Sequence, residues 1–594
     1  RAAGGAGGSG GYNNPTWTAW NYLQHGGGGG GGGRIAIHCT TCASLADASF
    51  GADGARVAGR LSLDARGGAA GSTKRVVPTE GPRRGAPGPI FGDAAGVRVV
   101  VFANHYGGAT ATMTREAAAH LLLDGGSLTL DHLLLHSCVA ELSPSVSSTH
   151  IHSSASSVTV ERSLDVAGSV DLQSGAWTLH EPIKANVFSL GATAALYVKD
   201  DATTLDVRTV RYTHAGLAAA RTISITAREL TLVGSGAFDA SGRGDAKDTG
   251  AGRGSGGGGA SHGGMGGGST MAPYGSLELP SSRGSGGGSS GGRDGGAGAG
   301  TINLTVSDLL VLDGPATLVG ANGLAGEDAS SNTGSAGGGG AGGSVYIDAA
   351  RLAGSGKVQA VGGGGGHTNA GTGGSGGGGG RIAIHCTTCA SLADASLGTG
   401  GAIWAGGIHL DARGGAAGRT KHVAPTSGPR RGAPGPVFSD AAGVRVVLLA
   451  NFDGSTASAS RDAPVHLLLG DGSLSLDHLL LHSCAAELHP TLSVRSLHAE
   501  LARVEVKEPL HAIEQLHIES GEWTLSAAVT ATVFTVGDAA ELYSADAATP
   551  LRLAAGSLVF GGYAAARQIE LTATDATFVG NGTLDVSGRG HAEE

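Results

Sequence analysis

The stretch TINLTVSDLLVLDGPATLVGANG, residues 301–323, is the part of the sequence that decides the fold class. Its first strand alternates apolar and polar residues and places Ile302 and Leu304 on one face, so one side of the strand can be buried. A turn, a second short strand and a glycine-containing corner follow. The stretch therefore predicts a strand, turn, strand and corner unit that cannot bury its apolar face alone.

Similar segments occur at 222–242 and 344–363, and the hexapeptide RIAIHC begins at Arg34 and again at Arg381. Stacked in layers about 4.8 Å apart, their Ile, Leu and Val positions would form a continuous apolar column with every internal edge paired. We therefore predict an all-β parallel β-helix, or β-solenoid. The alternative is a string of antiparallel sandwiches, which is less favoured because hairpin signals such as Asn-Gly are scarce.

The chain also repeats itself on a larger scale. The stretch GGGGRIAIHCTTCASLADAS at Gly30–Ser49 returns at Gly377–Ser396, and the match continues toward the end of the sequence. Such self-similarity is typical of an array, and the sequence starts partway through one unit, so we expect a slice of a longer array or a processed subunit. The predicted organisation is a glycine-rich, aromatic segment at 1–33, a first solenoid unit at 34–249, a glycine-rich insert at 250–300, solenoid rungs with glycine-rich inserts at 301–380 and a second solenoid unit at 381–594.

Glycine tracts separate the apolar segments at Gly4–Gly33, Gly250–Gly300, Gly326–Gly343 and Gly362–Gly380. The favoured interpretation is that they are flexible loops inserted at the corners of the solenoid, because Gly/Ser chains have a low tendency to order. The alternative is that several tracts pack side by side as extended three-fold helices, in which only glycine permits close backbone approach.

Composition and charge exclude several classes of protein. The 594 residues include 110 Gly, only 15% are charged, and the net charge is −10. No stretch combines Lys or Arg with aromatic residues as nucleic-acid surfaces do, so we expect no nucleic-acid partner. No apolar run is long enough for a transmembrane helix, so we expect no membrane span.

Six cysteines fall three in each copy: Cys39, Cys42, Cys138, Cys386, Cys389 and Cys484. Disulfides or buried thiols are the favoured prediction, as expected for a secreted array. The alternative is a zinc site, in which the CxxC pair and Cys138 would offer three thiolates and His38 or His136 an imidazole. We predict no metal and no cofactor.

Two further sets of residues are candidates for surface chemistry. The sequons at Asn303 and Asn581 permit N-glycosylation if the chain is secreted. The segment YNNPTWTAWNYLQH holds four large aromatic residues that could contact a neighbouring subunit or stack on a sugar ring, or could instead cap the open end of the solenoid; they are Tyr12, Trp17, Trp20 and Tyr22.

Catalysis is not expected. Lyases and hydrolases that act on polysaccharides need carboxylates that converge on one groove, and the sequence shows no such set. The adjacent pair Asp200 and Asp201 is matched in the second copy by Asp546 and Ala547, so it is interpreted as a solvated loop. We therefore predict a protein that is not an enzyme.

At GGGGGRIAIHC, at the GAPGP elements before a strand and at the 301–323 rung, the sequence resembles the glycine-rich repetitive β-helix regions of very large extracellular proteins of algae and other protists, and more loosely bacterial exoproteins. The resemblance implies a secreted surface or appendage protein, such as a component of a flagellar hair, sheath or wall fibre. It supplies no catalytic residues. Our first hypothesis is a structural filament subunit that polymerises head to tail with itself. The alternative function is a carbohydrate-binding adhesin, with glycans or cell-wall polysaccharide as partners.

Overall fold

A computed structural model describes most of the chain from residue 127 onward and short pieces before it. The described residues are 34–39, 49–51, 54–57, 61–63, 86, 89–94, 97–103, 119–121, 127–143, 145–329, 334–369, 371–398, 401–404, 407–419, 430–451, 465–467, 474–489, 491–546 and 548–587.

The chain forms two compact units, of which the first comprises Arg1–Ala219 and Ile225–Gly236. The strands that begin before residue 237 are β1 (Ile35–Cys39), β2 (Ser49–Gly51), β3 (Gly54–Val57), β4 (Leu61–Leu63), β5 (Ile90–Ala94), β6 (Val97–Ala103), β7 (Ala119–Leu121), β8 (Leu128–His136), β9 (Val139–Leu142), β10 (Val146–Ser154), β11 (Ser156–Val160), β12 (Leu164–Leu179), β13 (Ile183–Val198), β14 (Thr204–His214), β15 (Leu217–Ala219) and β16 (Thr222–Val233).

The second unit comprises Ala220–Ser224 and Ala237–Glu594. Its remaining strands are β17 (Ala237–Asp239), β18 (Thr301–Asp313), β19 (Leu318–Gly320), β20 (Ser344–Gly354), β21 (Lys357–Gln359), β22 (Arg381–Cys386), β23 (Ser396–Gly398), β24 (Gly401–Trp404), β25 (Ile408–Asp411), β26 (Val437–Ala441), β27 (Val444–Ala450), β28 (Val465–Leu467), β29 (Leu474–His482), β30 (Ala485–Leu488), β31 (Leu492–Glu500), β32 (Arg503–Val506), β33 (Leu510–Leu525), β34 (Val529–Ser544), β35 (Leu551–Phe560), β36 (Tyr563–Ala565), β37 (Ile569–Phe578) and β38 (Thr583–Asp585). A 3₁₀ turn, Leu392–Asp394, precedes β23.

Most strands pair in parallel with the strands that precede and follow them in each unit. In the first unit the register places Val170 of β12 beside Phe188 of β13 and Phe188 beside Tyr212 of β14, and all three side chains are buried. In the second unit a similar buried column runs through β31, β33, β34 and β35; its members are Leu497, Leu516, Phe534 and Leu558. Apolar side chains of like position thus stack in columns, because residues two apart in a strand share a face.

The strand pattern confirms the prediction of an all-β fold, and its large, mostly parallel sheet is solenoid-like. Antiparallel pairing is limited to short elements, such as β5 with β6 and β26 with β27. The described ranges contain no α-helix, and accordingly none that is long and apolar enough to cross a membrane.

The glycine tracts of the second unit pack against one another through backbone hydrogen bonds. Residues 337–343 have no strand or helix hydrogen-bond pattern, yet they are mostly buried. Their backbone N–H groups donate to three neighbouring tracts in turn, over N···O distances of 2.8–3.0 Å. Gly337, Gly340 and Gly343 donate to residues 321–327. Gly338 and Ala341 donate to residues 285–288, and Gly339 and Gly342 donate to residues 375–378. A donor direction that recurs every three residues is the signature of an extended helix with three residues per turn.

Residues 374–380 repeat this arrangement. Gly374, Gly377 and Gly380 donate to residues 360–366, while Ser375 and Gly378 donate to residues 257–260. The third direction, from Gly376 and Gly379, leads to residues 430–433. Each of these two tracts is therefore surrounded by other backbone segments, and their peptide groups are satisfied by neighbouring tracts instead of by water.

Close approach explains why the tracts are made of glycine. A Cβ built on Gly340 would lie 2.1 Å from the carbonyl oxygen of Ala297, and one on Gly377 would lie 2.1 Å from that of Gly340. The prediction that the tracts are flexible corner loops is therefore wrong for the described parts of 250–300, 326–343 and 362–380. The alternative, extended three-fold helices packed side by side, is what the structure shows at 337–343 and 374–380. The tract at Gly4–Gly33 lies outside the described residues.

Candidate functional site

The four aromatic residues proposed as a subunit or glycan contact, Tyr12, Trp17, Trp20 and Tyr22, lie outside the described residues. Cys42 lies outside them as well, and only the backbone of Cys39 is described, in β1. The structure therefore provides no geometry for the contact predicted at the start of the sequence.

The cysteines of the second copy are described. Cys386, at the end of β22, forms a disulfide with Cys389, and their Cα atoms are 5.7 Å apart. Cys484 is buried, as is its counterpart Cys138, whose Sγ lies 3.6 Å from Oγ of Ser156. The structure thus places a disulfide within the second CxxC motif.

Both predicted glycosylation sites lie on the surface. Asn303 is exposed on β18, and the hydroxyl of Thr305, the third residue of its sequon, is 3.4 Å from Oδ1 of Asn303. Asn581 is exposed in the turn between β37 and β38.

The last two strands expose side chains that the preceding strands bury. Phe578 of β37 is 50% exposed, although Phe560, its register partner in β35, is fully buried. In β38, Leu584 is 37% exposed next to the buried Ala564 of β36, and Val586 is exposed beyond it. The strands β37 and β38 therefore present an apolar surface of the kind that a further parallel rung would cover.

The molecule contains a covered counterpart of this surface. Leu584 corresponds in the sequence repeat to Phe238, which is buried in β17 because Val319 of β19 pairs beside it. The strand β22 is likewise paired on one side with β20 and on the other with β26. The pairing described for β1, the counterpart of β22, is with β5, the counterpart of β26. A parallel rung placed like β19 would therefore cover Leu584 as Val319 covers Phe238.

A second group of polar residues lies on the solvent side of neighbouring strands in the second unit. His498 of β31 and His517 of β33 are register partners, and their ring centroids are 5.1 Å apart. Glu519 lies two residues beyond His517 on the same face of β33, and its Oε2 is 3.5 Å from Nε2 of His498. One ligand atom from each of the three residues lies within 4.8 Å of the others, so they could hold a metal ion.

The electrostatics of this group favour a neutral imidazole. Burial, and then the neighbouring His517, lower the pKa of His498, whereas Glu519 and Glu500 act in the opposite direction. Oε2 of Glu500 lies 3.1 Å from Nδ1 of His482. The sequence analysis missed this group. The signal that could have found it is a histidine followed nineteen residues later, about one rung on, by His-x-Glu.

The corresponding positions of the first copy hold different donors. His152 and Asp171 stand where the second copy has His498 and His517, and Nδ1 of His152 lies 3.1 Å from Oδ2 of Asp171. Gln173 stands in place of Glu519, and its amide donates to the same carboxylate oxygen at 3.2 Å. The carboxylate of Asp171 is thus engaged by two side chains.

Asp200 is part of a turn. Its Oδ1 accepts from the backbone N–H groups of Ala202 and Thr203 and from the hydroxyl of Thr203. These hydrogen bonds, led by that of the Thr203 side chain, lower the pKa of Asp200. Asp546 makes the same backbone contacts in the second copy, with Ala548 and Thr549. Both aspartates therefore stabilise turns, as the solvated-loop interpretation implies.

Because comparison with known proteins identifies no relative, a function has to be argued from the fold and these surfaces. No family model matches the chain, and no curated protein and no solved structure is similar to it.

Proposed function

We propose that this chain is a structural subunit of an extracellular filament or surface appendage, such as a flagellar hair, sheath or wall fibre, and that it assembles end to end. In this proposal the chain is an internally repeated parallel β-helix that acts mechanically and carries out no catalysis. The observation that carries the proposal is the apolar surface of β37 and β38, where Phe578 and Leu584 are exposed at positions that other rungs bury.

The contact we propose joins β37 and β38 of one copy to the β1 rung of the next. Each surface differs from the other, so the contact is heterologous, and a heterologous contact that does not close into a ring generates an open filament. Addition of a parallel strand would satisfy backbone groups and bury the apolar side chains together. The pairing of β22 with β20 supports this geometry, because β1 repeats the sequence of β22.

The glycine tracts support a mechanical role. Tracts such as 337–343 and 374–380 are held by backbone hydrogen bonds in three directions, and neighbouring carbonyl oxygens lie too close to glycines such as Gly340 and Gly377 for a side chain there. Close packing of this kind resists deformation because interiors at such density have low compressibility. A subunit of a filament that bears load requires that property.

The proposed location outside the cell rests on surface chemistry. The disulfide between Cys386 and Cys389 suits an oxidising environment. The exposed sequons at Asn303 and Asn581 would accept glycans in a secreted protein. Mass spectrometry of the native protein would show a glycan mass on tryptic peptides that contain these residues.

The alternative function is a carbohydrate-binding adhesin whose contact is the aromatic segment with Trp17 and Trp20. Large aromatic rings stack on sugars because they combine apolar area with rigid shape. This alternative predicts glycan binding that disappears in a Trp17→Ala, Trp20→Ala double variant whose far-UV circular dichroism is unchanged.

Electron microscopy and sedimentation velocity of the full chain over a range of concentrations test the assembly proposal. We expect filaments with a layer spacing of about 4.8 Å in the averaged power spectrum. Leu584→Asp should abolish them, because a charge in the new contact would be buried without a partner. The matched control is Ile513→Asp, which changes an exposed apolar residue of β33 away from β37 and β38 and should leave assembly intact.

Monomers at every concentration would overturn the assembly proposal and make the adhesin the leading function. Filaments of Leu584→Asp that are as abundant as those of the unaltered chain would also overturn it, because the contact would then lie elsewhere.

A further inference from the structure

We propose that His498, His517 and Glu519 form a binding site for a divalent transition-metal ion on the solvent side of β31 and β33. The proposal is independent of filament assembly, since it concerns a surface away from β37 and β38. It rests on the register of the two strands, the distances between the ligand atoms and the chemistry of the three donors.

Strand register brings the ligands together. His498 and His517 are partners in adjacent parallel strands, and such strands lie about 4.8 Å apart. Glu519 shares a face with His517 because residues two apart in a strand point the same way. The donors are therefore fixed by backbone hydrogen bonds on two strands of the sheet, which orients them before any metal arrives.

The distances suit a shared ion after a small adjustment. A zinc ion bonds to imidazole nitrogen at about 2.0–2.1 Å and to carboxylate oxygen at about 2.0–2.2 Å, so two ligand atoms of a tetrahedral site lie about 3.4 Å apart. The three ligand atoms lie within 4.8 Å of one another, and His498 Nε2 is already 3.5 Å from Glu519 Oε2. Rotation of the imidazoles about their side-chain bonds would bring the remaining ligand atoms to that distance.

The charges around the site favour a cation. Two protonated imidazoles whose ring centroids are 5.1 Å apart would repel each other, whereas neutral imidazoles present lone pairs to an ion. Two carboxylates lie beside the imidazoles: Oε2 of Glu519 is 3.5 Å from Nε2 of His498, and Oε2 of Glu500 is 3.1 Å from Nδ1 of His482. A divalent ion would satisfy both the lone pairs and the carboxylates.

The donor set selects the class of metal. Two imidazoles and one carboxylate suit zinc, copper or nickel, while magnesium and calcium prefer sites made of oxygen donors alone. Three protein ligands leave a fourth position for water or an external ligand. The ion would also join β31 to β33, so its binding would stabilise the folded chain.

The first copy supplies a natural control. There the donors are His152, Asp171 and Gln173, and the carboxylate of Asp171 is already engaged by the other two side chains. An amide is a poor ligand compared with the carboxylate of Glu519. We therefore assign this site to the second copy.

Isothermal titration of untagged, chelator-treated protein with zinc chloride tests the proposal. We expect His498→Ala and His517→Ala each to weaken zinc binding at the second-copy site by at least about tenfold, since loss of even an outer-shell partner commonly costs that much. His511→Ala, which removes an exposed histidine of the same strand β33, should leave zinc binding unchanged, and so should His152→Ala in the first copy.

Two readouts separate binding from folding. Zinc should raise the midpoint of thermal unfolding of the unaltered chain, and the rise should be smaller in Glu519→Gln, which keeps the size of an exposed side chain. Cobalt bound in place of zinc should give visible absorption bands that His498→Ala weakens. Zinc affinities of His498→Ala and His517→Ala equal to that of His511→Ala would overturn the proposal, whether or not filaments form.

Discussion

At the scale of single residues, two tryptophans in equivalent positions of the two copies differ in one hydrogen bond. Trp177 is buried, and its Nε1 donates to Oγ of Ser153 at 3.1 Å. Trp523 is equally buried, but its Nε1 has no hydrogen-bond partner among the described residues. Ala499 stands where the first copy has Ser153, so the acceptor is missing. A buried donor without an acceptor costs about 1–3 kcal/mol of folding free energy.

Ala499→Ser should therefore stabilise the chain, by about 1 kcal/mol in the free energy of unfolding, because it restores an acceptor for Trp523. The reciprocal change, Ser153→Ala, should destabilise it by about 1–3 kcal/mol. Urea unfolding followed by tryptophan fluorescence measures both. A loss of stability in Ala499→Ser would show that the site has no room for the hydroxyl.

His262 is a titratable residue that is buried among the glycine tracts. It is fully buried, its Nδ1 donates to the carbonyl oxygen of Gly342 at 2.7 Å, and its ring lies 4.9 Å from that of Tyr274. Burial, and then the nearby Arg381, lower the pKa of His262 from 6.5 to about 3. The imidazole is therefore neutral in the folded chain at any pH above that value.

This depressed pKa predicts a loss of stability in acid. Between pH 6.5 and about 3 the unfolded chain binds a proton at residue 262 that the folded chain does not bind. The contribution of His262 to the free energy of unfolding is thus fully present above pH 6.5. It falls by about 1.4 kcal/mol for each pH unit below that value. When the free energy of unfolding is measured in urea at pH 4–8 and plotted against pH, His262→Asn should reduce the slope below pH 6.5 by that amount. Parallel stability curves for the two proteins would contradict the prediction.

At the scale of elements, the strands and the glycine tracts use different means to satisfy their backbones. A strand such as β33 pairs with a neighbour on each side and contributes alternate side chains to a buried column. A tract such as 337–343 contributes no side-chain column and donates its backbone hydrogen bonds in three directions. The tract is consequently sensitive to any added side chain, while the strand is sensitive to changes in its apolar residues.

Substitution within the tracts checks this difference. Gly340→Ala places a methyl group 2.1 Å from the carbonyl oxygen of Ala297, so the backbone must move, and we expect a loss of about 2 kcal/mol or more. Gly364→Ala is the matched control, because the nearest atom to its added Cβ is 3.7 Å away. The control should change stability by less than about 1 kcal/mol. Equal thermal midpoints for the two variants would mean that the tracts are not packed as described.

At the scale of the whole molecule, the proposed assembly extends the stacking of rungs that is seen inside the chain. Each described rung is stabilised by the rung beside it, as Phe238 is covered by Val319. At the end of the described residues, Phe578, Leu584 and Val586 are exposed. In the proposed filament the same stacking would continue from one molecule to the next, and the Leu584→Asp variant tests it at this scale.

Much of the strand pattern could be predicted from the sequence. The alternation at Ile302 and Leu304, and at Ile382 and Ile384, appears in the structure as buried positions of β18 and β22. Alternation is a local property, so it can be seen in a single segment. The packing of the glycine tracts could not be predicted because it depends on contacts between segments far apart in the sequence, such as Gly378 with Ala260.

The sequence by itself determined the all-β class and the apolar faces of the strands, because both follow from the spacing of residues along a few consecutive positions. Only the tertiary structure decided that glycine tracts pack as three-fold helices, that Trp523 lacks an acceptor and that His498, His517 and Glu519 come together. Each of these depends on register between strands or tracts. Register describes how separate segments align with one another, so no single segment of the sequence contains it.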